Sequence, residues 1–215
     1  MKVLAVTSHS KNNESLYNLT IKNHIDYFNK YGISYLTLID DYNKFIDVQF
    51  FKNLLLNYEL VFTVGSDVLF TDFNRNIFDF LDLNKDINVC EEGLGVSITN
   101  GEIVFYKRGC EKFLDVVDIL QKENPLVTFG TQSILNSFFE QAPDYADEHI
   151  NLIEKGKLQS YLLNPIDLAV RKKNIGNEIN KVIWKHNKSF ILHAIGGSNQ
   201  EKYERISEKM ERFNL

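Results

Sequence analysis

The chain has 215 residues, 44% of them hydrophobic, and a formal net charge of −5. That is enough apolar material for one sizeable core, and too acidic a balance for broad affinity for nucleic acid or anionic membrane. Cys90 and Cys110 are too few for a disulfide scaffold and lack metal-like spacing, so two reduced, buried thiols are expected.

The first strand is expected at Lys2 to Ser8. The apolar run that starts it stops at Thr7-Ser8-His9, too short for a signal peptide, and no stretch approaches the ~20 apolar residues of a membrane span. A cytoplasmic protein is therefore expected. Ser15 is placed to cap a helix running to about Tyr31, with Leu16, Leu19, Ile25 and Phe28 near helical spacing and Gly32 ending it. Ile33 to Ile39 reads as a second strand that runs into Asp40-Asp41. Asp47 is expected to cap a helix through Leu56 that turns Phe50, Phe51, Leu54 and Leu55 inward.

Leu60 to Val64 is a continuous apolar run, the pattern of a central strand in a parallel sheet. Gly65-Ser66-Asp67 follows as a turn, then a second run, Val68-Leu69-Phe70. The order β-α-β-α-β implies parallel strands joined by right-handed crossovers. The expected class is α/β, one domain with a mostly parallel central sheet flanked by helices. Further on come a short helix or turn at Phe73 to Leu81 and a short strand at Asn88 to Cys90. Val96 to Ile98 and Glu102 to Tyr106 read as two strands joined by a tight Asn100-Gly101 turn. Helices are expected at Glu111 to Lys122, stopped by Pro125, and at Thr131 to Phe139, with Thr131 as N-cap. Leu158 to Leu163 and Ser189 to Ile195 are late strands, and a charged helix covers Gln200 to Phe213.

In open α/β sheets, ligands gather at the carboxyl ends of the strands. Asp67 stands just past such an end. Its carboxylate suits an oxygen-ligated divalent cation that carries a diphosphate, or it simply caps a turn. His193 closes an apolar strand and precedes Gly196-Gly197, whose amides can approach phosphate oxygens. It is either a second ligand or an ordinary strand-end histidine. Gln132 opens a helix and is either a polarising amide or a solvated side chain. Thr7, Ser8 and Asp40, at the ends of the first two strands, mark where a nucleotide base and ribose could lie. No GxxxxGK[ST], GxGxxG, GxSxG or HExxH motif is present. Basic residues concentrate at Arg171-Lys172-Lys173 and from Lys181 to Lys188.

The order of these signals resembles the GT-A nucleotide-sugar glycosyltransferases. The stretch Gly65-Ser66-Asp67-Val68-Leu69-Phe70 is similar to the D-S-D-A-L-F motif of the galactosyl-, mannosyl- and xylosyltransferase family, and the glycogenin-like family is next in likeness. By that resemblance Asp67 corresponds to the last Asp of a DxD and His193 to a late metal-binding histidine. Gly196, with Gly197, corresponds to the glycine that meets the diphosphate. Asn100 and Gly101 correspond to the segment near the transferred sugar. Gln132 corresponds to the middle of D-Q-D-x-L-N, by the reacting sugar carbon. The resemblance implies a nucleotide-sugar donor, probed first as a UDP-sugar, a hydroxyl acceptor, Mn²⁺ or Mg²⁺, and retention of configuration. It also implies a donor half over about 1–100, an acceptor half over about 101–199, and a C-terminal helix at 200–213. Ser66 would join the donor contacts.

The chain departs from the pattern at Gly65, where the family has its first Asp, and at Thr131 and Ser133, which replace acidic residues. It departs again at Asn199, where a phosphate-binding Lys is usual; Lys202 is the substitute at hand. A second expectation is a GT-A domain that binds a nucleotide or partner without catalysis. A third is a transferase acting on modified DNA bases, with the basic 171–188 region as its support.

Overall fold

Short apolar runs, the central ones buried along most of their length, build the sheet. In the computed structural model, residues 1–39 and 46–213 are described. Strand β1 (Val3–His9) is followed by helix α1 (Glu14–Lys30), β2 (Ser34–Ile39), α2 (Val48–Leu55) and β3 (Leu60–Thr63). Both β2 and β3 pair with β1 in parallel, as the β-α-β-α-β order requires. After β3 the chain leaves this sheet as β4 (Val68–Phe70). It then passes a 3-10 turn at Ile77–Phe80 and returns as β5 (Ile87–Glu91) and β6 (Thr99–Lys107). Helices α3 (Glu111–Glu123), α4 (Thr131–Gln141) and α5 (Pro143–His149) lead to β7 (Ile150–Ile153) and β8 (Gln159–Leu162). Then come α6 (Pro165–Ile175), α7 (Ile179–Val182), β9 (Ile191–Ala194) and α8 (Asn199–Phe213).

The main sheet has the order β2-β1-β3-β6-β5-β7, and a small sheet has the order β4-β9-β8. Strand β6 runs antiparallel to both of its neighbours, while β7 is parallel to β5. One face of the main sheet packs Val61, Val104 and Tyr106 against Phe51, Phe113 and Leu135. The other packs Phe62 and Phe105 against Tyr27, Phe28, Phe70 and Phe190, with the Tyr27 and Phe70 rings stacked at 3.9 Å. Both cysteines are buried and free, and burial pushes the Cys90 thiol up to about 12. Among the described residues no helix is long and apolar enough to cross a membrane.

Three sequence expectations change. Asn100-Gly101 is not a hairpin turn but lies inside β6. The β5–β6 connection is instead the 92–98 loop, where Gly93 and Gly95 take φ of +68° and +76° and Glu92 accepts from the amides of Val96 and Ser97. The Gly101 N–H is held extended by Gln132 Oε1 at 2.9 Å. Thr131 does not cap α4; Gly130 is the N-cap, and Thr131 Oγ1 donates inward to Gln121 Oε1 at 2.8 Å. Ser15 lies within α1, whose N-cap is Asn13. Asp47 does cap α2, accepting from the Phe50 amide at 2.9 Å.

Candidate functional site

Helix α1 sets the position of Asp67. Its inward face carries Thr20, Asn23, His24, Tyr27 and Tyr31, spaced as one helical stripe. These side chains bind the main chain around β4 as a neighbouring strand would. Thr20 Oγ1 donates to the Ser66 carbonyl at 2.8 Å, and His24 Nε2 donates to the Val68 carbonyl at 2.7 Å. Asn23 both donates to and accepts from the Phe70 backbone, at 2.9 and 2.8 Å. Tyr27 and Tyr31 do the same for the 73–77 segment. Asp67 therefore sits between two pinned carbonyls.

Strand β9 brings the second group. Val68 pairs with His193 in the β4–β9 register, and the Ala194 amide donates to the Asp67 carbonyl at 3.0 Å. His193 Nε2 lies 3.4 Å from Asp67 Oδ1, and Lys202 Nζ from α8 lies 2.6 Å from Oδ2. Glu102 on β6 completes the cluster: ligand atoms of Asp67, Glu102 and His193 all lie within 4.8 Å of one another. Burial opposes ionisation of Asp67, but the charges and hydrogen bonds of His193 and Lys202 outweigh it and hold the carboxyl well below the usual range. Burial, and then the Asp67 charge, push Glu102 up. Lys202 is held above its usual range: burial works against the charged form, and Asp67 outweighs it.

A buried hydrogen-bond chain backs the cluster. Asn100 Oδ1 accepts from the Glu102 amide at 3.1 Å and from Gln159 Nε2 at 3.0 Å, and Gln159 Nε2 also faces His193 Nδ1 at 2.9 Å. In that arrangement the His193 proton sits on Nε2 and points at Asp67. Turning the Gln159 amide over lets its Oε1, which is buried without a partner, accept from Nδ1–H. Nε2 is then free as a ligand, at the expense of the Asn100 bond. Two carboxylates and an imidazole suit Mn²⁺ or Mg²⁺. The carboxylate of Glu102 makes no hydrogen bond among the described residues, so the donor set fits such an ion.

Asp67, Glu102 and Lys202 face a cleft of about 720 Å³, within the usual size range of small-molecule sites. Ser8, Ser66, Gly101 and Gln132 also line it, so these sequence candidates share one cavity with Asp67. Gln132 ties its walls together, accepting from Gly101 and donating from Nε2 to Ser97 Oγ at 3.1 Å. Thr7, on the opposite side of β1 from Ser8, is buried and is not among the cleft residues. Asn100 lies behind the wall, in the network under His193. Gly196 and Gly197 are also not among the cleft residues. A Cβ on either would meet a carboxylate oxygen, Asp167 Oδ2 at 1.9 Å or Glu201 Oε2 at 2.6 Å. Asp40 lies outside the described residues.

Residues that the sequence reading passed over also line the cleft: His9 at the end of β1, Asn12 and Asn13 after it, and Phe129 before α4. The His9 ring stacks on Tyr17 at 4.0 Å. Asn199, at the start of α8, bonds to Asn13 and closes one end of the cleft.

Solved structures share this architecture. A glycosyltransferase involved in glycosylating the major capsid of PBCV-1 superposes with a TM-score of 0.65 at 14% identity, covering 97% of this chain and 100% of its own. The chain has the GT-A glycosyltransferase fold. GlyE of Streptococcus pneumoniae TIGR4 gives a TM-score of 0.62 at 14% identity over 99% of this chain, which spans 65% of the GlyE chain. The galactosyltransferase LgtC, solved with donor and acceptor sugar analogs, gives 0.54 at 10% identity, covering 99% of this chain and 100% of that one. No protein-family profile and no curated protein sequence matches the chain. At these identities the likeness speaks for the GT-A fold.

Proposed function

We propose that the chain is a glycosyltransferase that moves a sugar from a nucleotide-diphosphate donor, tried first as a UDP-sugar, to a hydroxyl. The observation that carries this is the convergence of Asp67, Glu102 and His193 in the GT-A fold, where the two carboxylates line a ligand-sized cleft and buried His193 stands behind them. In the transfer, the bond between the anomeric carbon and the diphosphate oxygen breaks, and its electron pair leaves with the diphosphate. The acceptor hydroxyl forms the new bond and gives up its proton.

A divalent cation held by Asp67 and His193 would neutralise charge on the leaving diphosphate. Lys202, part-exposed on the cleft wall, is among the described residues the group best placed to meet the phosphates; it takes over the part first assigned to Gly196 and Gly197. Ser8 and Ser66 offer hydroxyls to the nucleotide side. Gln132 holds Gly101 where the sugar is expected to lie, and Asn100 acts from behind by positioning Glu102 and, through Gln159, His193.

Release of UDP from a panel of UDP-sugars, with MnCl₂ and simple sugar acceptors, tests the reading. The expected result is turnover by the parent protein and loss of at least ~99% of it in Asp67→Asn, the scale of one lost transition-state charge contact. No UDP release across the panel overturns it in favour of a nucleotide-binding module. The missing carboxylate at Gly65 favours that module, whereas Glu102 weighs against it.

A further inference from the structure

The turn that carries Asp67 has one carboxylate, and Gly65 contributes no side chain. Strand β6 lies beside it. Leu60 pairs with Lys107, Val61 with Tyr106 and Phe62 with Phe105. The same antiparallel register, carried three residues further, sets Gly65 opposite Glu102, and the Gly65 amide does donate to the Glu102 carbonyl at 3.1 Å. Opposed residues in an antiparallel pair send their side chains to the same face. Glu102 therefore shares a face with whatever residue 65 would carry.

With glycine there, the Glu102 carboxylate folds over the Gly65 backbone. A Cβ built on Gly65 would lie 2.0 Å from Glu102 Oε2 and 3.1 Å from Asp67 Oδ1. The carboxylate occupies the volume that a side chain on residue 65 would fill, next to Asp67. Gly65 has no positive φ, so its backbone does not demand glycine; the space does. Lys202 is ion-paired with Asp67 and acts on Glu102 only from a distance. Among the described residues the Glu102 carboxylate has no hydrogen-bond partner, and it stands at the cleft within ligand distance of His193 and Asp67.

We propose that Glu102 supplies, from the neighbouring strand, the second carboxylate of the cation site, and that Gly65 is the residue that makes room for it. The site thus draws its two carboxylates from two strands rather than from one turn. This rests on the cation reading above, and the two fail differently.

The test is titration of the protein with MnCl₂ alone, read as loss of the free-ion signal in electron paramagnetic resonance. The parent protein is expected to bind one ion. Glu102→Gln, nearly the same shape, should weaken binding by roughly tenfold or more, since even an indirect partner of a metal ligand is worth that much. Gly65→Ala should weaken it too, because the added Cβ displaces the Glu102 carboxylate. Moving the charge back, as Gly65→Asp with Glu102→Ala, should bind Mn²⁺ more tightly than Glu102→Ala alone. Binding abolished by Asp67→Asn but unchanged by Glu102→Gln and Gly65→Ala overturns the proposal and leaves the cation site standing. No binding by the parent protein overturns both.

Discussion

Lys202 and Glu102 are the side chains on which the chemistry of the cleft turns, because Lys202 helps to hold Asp67 ionised and Glu102 sets a second carboxylate beside it. The Lys202 ammonium touches Asp67 Oδ2 at 2.6 Å and lines the cleft. Among the described residues it is the lysine bonded to the cluster, and a hydrogen bond of this charge-assisted kind is worth about 1.5–3 kcal/mol. Lys202→Met keeps the aliphatic stem and removes the charge. The expected result is UDP binding weakened by roughly tenfold or more, on that scale, with Mn²⁺ binding retained or tightened. Calorimetry with each ligand separately reads the difference. Equal loss of both would mean that Lys202 merely holds the turn together.

At the level of elements, α1 does the positioning, and it does so with polar side chains. Deep burial pushes His24 down to about 4, with its hydrogen bond to Val68 and the Asp67 charge acting the other way. A histidine whose folded value is depressed binds its proton more readily once unfolded. Stability from this group is complete above about 6.5 and is lost as the pH falls from there towards 4, by up to about 3 kcal/mol. Urea unfolding between pH 7 and pH 4 should show that slope, and His24→Phe should flatten it while lowering stability at pH 7 through the lost Val68 bond. An unchanged slope in the variant would assign the acid sensitivity to other groups.

The same helix shows what the sequence made legible. Its course followed from apolar spacing and its C-terminal end from Gly32, while the N-cap is Asn13 and not Ser15; Leu19 and Ile25 are only partly buried, and Thr20, Asn23 and His24 point inward. An inward polar stripe has meaning only once β4 is known to have left the main sheet and to need partners for its backbone. Asp67 and His193 stood out because each ends a short apolar run, which is where α/β sheets expose functional groups. Glu102 gave no such signal. Its relevance comes from an antiparallel pairing with β3, and the repeating β-α order argues for parallel neighbours instead. Asn100-Gly101 misled for a related reason: the dipeptide favours a tight turn in isolation, and here the Gln132 side chain keeps it extended.

Across the whole molecule, two apolar layers hold the six-stranded sheet, and the three-stranded sheet brings β4 and β9 together beyond the carboxyl ends of β1 and β3. That arrangement opens a ligand-sized cleft lined by the carboxylates of Asp67 and Glu102 and by Lys202, with the His193 imidazole behind them. The GT-A fold accounts for the framework, and the placement of Glu102 against Gly65 is this chain's own answer to a turn with one carboxylate. The most direct test of the account is anomalous scattering at the manganese edge from crystals grown with UDP and MnCl₂. The account predicts one manganese peak bounded by Asp67, Glu102 and His193, with the diphosphate of UDP against it in the cleft. A bound UDP with its manganese elsewhere, or crystals with neither ion nor nucleotide at these residues, would contradict it.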